Sequence, residues 1–116
     1  MPTEVLTFSN TAIDGQTTRQ KRRVTHAGKL VFLHIAFPGS TNNALDVAVN
    51  LIRSNTKHSR LLPSQDDTFF RWDSAVLGLQ LELDLEAGAE LEVEWVNNSG
   101  GDLNCPVVAV VERLQA

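Results

Sequence analysis

Three histidines, one cysteine and two acidic stretches are the groups in this chain that could do chemistry. His26, His34 and His58 could ligate zinc. No two of them have zinc-site spacing, and Cys105 has no second cysteine to join it. His34 stands between Leu33 and Ile35 in an apolar run, which predicts a hydrogen-bonded histidine in a core or an interface. Asp66-Asp67, and the stretch holding Asn97, Asn98 and Asp102, offer oxygens to calcium. They lack the ordered spacing of an EF-hand loop and read as solvated loop residues. Cys105, followed by Pro106, Val107 and Val108, reads as a small buried hydrophobe. Asn97-Asn98-Ser99 matches the glycosylation pattern, but nothing upstream resembles a secretion signal, so the match reads as chance. There is no Gly-rich phosphate loop, nucleophile elbow or supported acid-base carboxylate pair. The residues therefore predict no enzyme, no cofactor and no metal centre.

What remains is recognition by shape and charge. Trp95 shares a side with Leu91 and Val93 and is expected in the core. Trp72 is less determined, and core or interface is the expectation; an exposed tryptophan would instead stack on a sugar ring. The chain has no tyrosine, which argues against a glycan- or antigen-style binding face. Its formal charge of −4 disfavours nucleic acid as a partner. Within that total the charges are segregated. Arg19, Lys21, Arg22, Arg23 and Lys29 lie in one stretch without an acid. Glu82, Asp84, Glu86, Glu90, Glu92 and Glu94 lie in another without a base. The basic stretch reads as a solvated charged strand or as an arm that docks on an acidic surface, such as the acidic stretch of a neighbouring copy.

The elements that must position these residues are strands. From Leu77 to Trp95 apolar residues recur at every second position, broken only by Ala87-Gly88. That period marks half-buried strands, and the short glycine-containing link predicts a hairpin with Gln80, Glu82, Asp84, Glu92 and Glu94 on its polar face. Further strands are expected over 3–8, 29–37, 44–53 and 107–111, with a short edge piece over 59–63 and a candidate over 68–72; over 44–53 an amphipathic helix is the alternative, disfavoured by β-branched residues and a period of two. The stretch 17–25 fits an arm or an edge strand, where charge discourages unwanted pairing. Residues 29–37 are apolar on both faces, as in a strand covered on both sides or one whose outer face meets a partner. At 116 residues this is one folding unit, divided into an N-terminal arm and edge strand over 1–26 and a β-sandwich over 27–116. The expected fold is all-β: an antiparallel β-sandwich, jelly-roll-like, with an N-terminal arm. No apolar run approaches the length of a membrane helix, and the expectation is a soluble protein made in the cytosol.

The runs AGKLVFLHIAFPGSTNNALDVAVNL, FFRWDSAVLGLQLELDLEAGAELEVEWVN and VVAVVERL carry a resemblance. An L-x-L strand, an acidic Ala-Gly turn and then LEVEWVN resemble small β-sandwich virion proteins of tailed bacteriophages, including capsid decoration (cement) proteins and small tail or fibre modules. The resemblance spans about residues 27–113. It implies a non-enzymatic structural protein on the capsid surface, made in the host bacterial cytoplasm. It implies a dimer or trimer whose partner is the major capsid protein or another virion protein, with no membrane partner. Contacts are expected at the arm, with Arg19, Lys21, Arg22 and Arg23, at the strand carrying Lys29, Phe32 and His34, and at Trp72. A tail fibre or baseplate module that binds host glycans is the alternative.

Overall fold

The computed structural model describes residues 3–41, 44–52, 58–63, 69–71 and 73–113. Among these residues ten strands form: β1 (Thr3–Phe8), β2 (Thr11–Ala12), β3 (Thr17–Arg23), β4 (Gly28–Phe37), β5 (Leu45–Ile52), β6 (His58–Leu62), β7 (Ala75–Leu85), β8 (Glu90–Asn97), β9 (Leu103–Asn104) and β10 (Val107–Arg113). Two four-stranded sheets face each other. Sheet A has the order β1-β10-β4-β7 and sheet C the order β3-β8-β5-β6; β2 and β9 form a two-stranded ribbon. All pairings are antiparallel, so the fold is an antiparallel β-sandwich.

The pairings are nested. Thr3 lies opposite Glu112, Thr11 opposite Asn104, Thr17 opposite Val96, Gly28 opposite Leu85 and Val49 opposite Leu62. The chain is thus one long ribbon, folded back on itself and wound from one sheet to the other. Where the ribbon changes sheet, its two arms stay tied. At the first corner β2 pairs with β9, and the Asp102 carboxylate accepts from the Asp14 N–H at 3.0 Å. At the second, Val24 N–H donates to the Ala89 carbonyl at 2.8 Å and Gly88 N–H to the Val24 carbonyl at 2.9 Å. At the third, Ser74 N–H donates to the Pro38 carbonyl at 3.0 Å, and Asp73 accepts from the Thr41 N–H at 2.8 Å and the Thr41 hydroxyl at 2.6 Å.

The core lies between the sheets. Leu30, Leu33, Ile35, Val107, Ala109 and Val111 line it from sheet A, and Leu45, Val47, Val49, Leu91, Val93 and Trp95 from sheet C; all are buried. Trp95 is fully buried and its indole N–H donates to the Cys105 carbonyl at 2.9 Å, so an aromatic of this size leaves no polar atom unmatched. Cys105 is itself buried, and burial pushes its thiol up to about 12.

Two expectations are corrected here. Residues 77–95 are not a hairpin. The period of two holds on both sides of the link, but β7 belongs to sheet A and β8 to sheet C, so Glu86–Ala89 is an arch across the core. Alternation records which side chains face inward; it does not record which strand is the hydrogen-bonded neighbour. Of the two readings of the N-terminal stretch, the edge strand holds and the arm does not: residues 3–23 contribute β1 to the edge of sheet A and β3 to the edge of sheet C. The strand candidate over 68–72 is described only at 69–71, where Phe70 forms a single bridge with Val47.

Candidate interaction surfaces

The two outer faces of the sandwich have opposite chemistry. On sheet C, β3 brings its bases against the acids of β8 in register: Arg19 opposite Glu94, Lys21 opposite Glu92 and Arg23 opposite Glu90. Arg19 Nε lies 3.8 Å from Glu92 and its Nη2 lies 3.6 Å from Glu94. Further in, Asn50 sits beside both carboxylates, its amide donating to Glu94 at 2.9 Å and to Glu92 at 3.1 Å. The Asn50 carbonyl accepts from Arg60 Nε at 2.7 Å, and Arg60 stacks over the Phe69 ring at 4.7 Å. Asn50 and Glu92 are buried at 1% and 3% exposure, so this network is sealed from water and fixes the register of three strands. At the other end of the face Arg71 grips Asp46 with two parallel hydrogen bonds, and that pairing raises the guanidinium pKa.

Of the segregated charges, Arg19, Glu92 and Glu94 are thus paired within the chain, and Lys21 and Arg23 stand in register opposite Glu92 and Glu90. The acidic surface expected on a neighbouring copy is β8 of the same molecule. Arg22 points the other way: its Nε donates to the Thr7 carbonyl of β1 at 3.1 Å and ties the edges of the two sheets together.

Sheet A turns an apolar face outward. Its central rows across the strands are Val5–Val110–Phe32–Gln80 and Thr7–Val108–His34–Gly78, with Ala36 opposite Val76, and a charged row, Thr3–Glu112–Lys29–Asp84, closes one end. Val5 and Val76 are 57% and 67% exposed. Val31, Phe32, His34, Val108 and Val110 are half-buried. The double apolarity of 29–37 has a local cause. A register shift between Leu30 and Phe32 leaves Leu30 and Leu33 in the core while Val31 and Phe32 both turn to the less buried side. Phe32 stacks on His34 with ring centroids 6.5 Å apart. Its ring also leans over Gly78, where a Cβ would meet it at 3.2 Å, so the glycine makes room for the ring. Beside Phe32 an open depression of about 790 Å³ is lined by Lys29, Val31, Gln80, Leu81, Glu82 and Glu112.

The residues expected to bind partners are thus divided. Arg19, Lys21 and Arg23 lie on sheet C, Lys29, Phe32 and His34 on the opposite side of the molecule, and Arg22 at the seam. Trp72 and the Asp66-Asp67 pair lie outside the described residues. Valines 5, 76, 108 and 110 were not among the expected contacts. Their signal was weak, because each is a single apolar residue whose neighbours on the face come from other strands.

The loop oxygens hold backbone. Asp14 accepts from Gly100 N–H at 2.9 Å. Asn97, fully buried, donates to the Ala12 carbonyl at 2.8 Å and to the Gly101 carbonyl at 2.9 Å, and accepts from Ser99 N–H at 3.0 Å. An amide so engaged is not presented for glycosylation. Among the described residues no group of three His, Cys, Asp or Glu converges as a metal site, and no helix is long and apolar enough to cross a membrane. No protein-family model matches the chain, and no curated protein matches it.

Proposed function

We propose that the protein is a non-enzymatic structural component of a tailed-bacteriophage virion: a capsid decoration protein that seats the outer face of sheet A on capsid subunits and bridges them. The observation that carries this reading is the chemistry of that face. A sheet with one side in water ordinarily turns polar residues outward, and here valines and a phenylalanine occupy the central rows. The opposite face pairs Arg19, Arg60 and Arg71 with Glu92, Glu94 and Asp46 within the chain, which favours the apolar face as the docking surface. The winding supports the reading too. We read the nested pairing of eight principal strands in two four-stranded sheets as a jelly roll, an architecture used by viral capsid and lectin domains. Fold alone assigns no role, so the face and the sequence resemblance bear the weight.

The mechanism is mechanical. Each apolar side chain covered by the capsid contributes about 1 kcal/mol, and Lys29, Glu82 and Glu112 at the rim set orientation. The test is co-sedimentation of the purified protein with phage heads that lack it. Saturable binding is expected. Phe32→Glu or Val110→Glu abolishes it with the fold intact, while Lys21→Glu on the far side leaves it unchanged. Absence of binding to the heads, or equal loss from both faces, overturns the reading.

One observation favours a tail fibre or baseplate module that binds host glycans: the open depression sets the Phe32 ring among Lys29, Gln80, Glu82 and Glu112, the mixture that grips a sugar. That reading expects saturable binding to host-envelope glycans, lost in Phe32→Ala.

A further inference from the structure

A sandwich of two open sheets has four edges, and three of them are short or basic. β3 presents Arg19, Lys21, Arg22 and Arg23. β6 is five residues long and is followed by Pro63. β1 is six residues long and its Thr7 carbonyl is held by Arg22. The fourth edge, β7, is the longest strand of the protein at 11 residues, and among the described residues it pairs only with β4. It contains no Lys, Arg or Pro. Its inward row, Leu77, Leu79, Leu81 and Leu83, is only partly buried. An exposed, long, apolar edge is a template for another strand.

The pattern of charge along β7 indicates which strand. The outward row carries acids only in its second half, at Glu82 and Asp84; Val76, Gly78 and Gln80 in the first half are uncharged. An antiparallel mate with the same sequence lays the acidic half of each copy on the uncharged half of the other. With a two-fold axis at Leu81, Gln80 faces Glu82, Gly78 faces Asp84, and Val76 faces Glu86 of the second copy. Inward, Leu79 faces Leu83 and Leu77 faces Leu85, so the leucine row continues across the axis. Moving the axis to Leu83 would set Glu82 against Asp84, a like-charge pair that is destabilising.

We propose that two copies of this chain pair β7 to β7, antiparallel and centred on Leu81, so that sheet A runs continuously through a dimer as eight strands. An axis of this kind stands normal to the sheet, and both apolar outer faces then lie on the same side of the dimer. The proposal stands apart from the capsid reading and needs no third partner.

Sedimentation equilibrium on the purified chain tests it. A reversible dimer is expected at micromolar concentration. Gln80→Glu places a new carboxylate opposite Glu82 at both symmetric positions and weakens the dimer about tenfold. Adding Glu82→Lys to Gln80→Glu gives every new acid a base across the axis and restores association. Both positions are exposed, and the thermal transition of each variant confirms that the subunit is folded. Leu81→Cys forms a disulfide-linked dimer under mild oxidation while the buried Cys105 stays reduced. A wild type monomeric at high micromolar concentration overturns the proposal. So does Gln80→Glu without effect, or a double variant that fails to recover.

Discussion

Asn50 is a small residue with a large consequence. Its amide is the buried donor shared by Glu92 and Glu94, and its carbonyl receives Arg60. Replacing it with Leu leaves two nearly sealed carboxylates short of a hydrogen bond each. Hydrogen bonds to charged groups are worth more than neutral ones, so we expect Asn50→Leu to cost about 3 kcal/mol. Lys21→Ala on the exposed rim of the same face costs less than about 0.5 kcal/mol. Urea unfolding checks both, with a shifted midpoint and an unchanged slope in the first case. Cys105 supplies a second expectation. A thiol pushed to about 12 by burial is almost wholly protonated at pH 8, with a thiolate fraction on the order of one in ten thousand. A thiol reagent should label it only in denaturant; rapid labelling of the native protein would contradict its placement.

Asp73 gives the pH dependence. Hydrogen bonds from the Thr41 hydroxyl, and secondarily from its N–H, hold this carboxyl below its ordinary value of 3.8. The folded state therefore binds this proton less readily than the unfolded state. The associated stability is fully present above 3.8 and is lost as pH falls through the lowered value. Below that ordinary value the melting temperature of the wild type should fall more steeply than that of Asp73→Asn. Parallel curves would show that the corner hydrogen bonds contribute nothing.

Among the elements, the link between β7 and β8 is the most instructive. Its sequence, an alternating run on each side of Ala87-Gly88, is that of a hairpin, yet the structure makes it an arch. Inward alternation was readable because it is local and repeats. The choice between hairpin and arch was not, because it depends on β4 and β5, which arrive from elsewhere in the chain. The same division runs through the rest. Eight of the ten strands stand where the sequence places a strand or an edge piece, while β2 and β9, two residues each, exist only as a corner tie and give no periodic signal. Arg19, Phe32 and His34 were conspicuous by type, but their separation onto opposite faces follows from strand order. The arch depends on Gly88, whose φ of +86° disfavours any other residue. No atom obstructs a Cβ there, so Gly88→Ala isolates the backbone term and should cost about 1–2 kcal/mol by urea unfolding.

Taken whole, the molecule is a single ribbon with its earliest and latest strands paired at its outer end. Contacts between residues far apart in sequence dominate such a fold, and proteins of this kind fold in milliseconds to seconds, not microseconds. Stopped-flow refolding monitored by tryptophan fluorescence should fall in that range. Removing β10 by ending the chain after Pro106 takes away the strand between β1 and β4, and should abolish the cooperative transition outright.

The same nesting sets a timetable for synthesis. A chain emerging from a ribosome meets its own strands in the order in which it is made, and β1 has no partner until β10 appears. At roughly 5–20 residues per second that wait lasts on the order of ten seconds. For most of it the apolar row of β4 has neither neighbour, because β7 comes late and β10 last. The first pair that can close is β5 with β6, the innermost turn of the ribbon, and every later pair must zip outward from it. Newborn copies on one message would therefore carry unclaimed strands side by side. A cell producing this protein in quantity would need either spacing between ribosomes or a holdase to keep neighbours from completing one another.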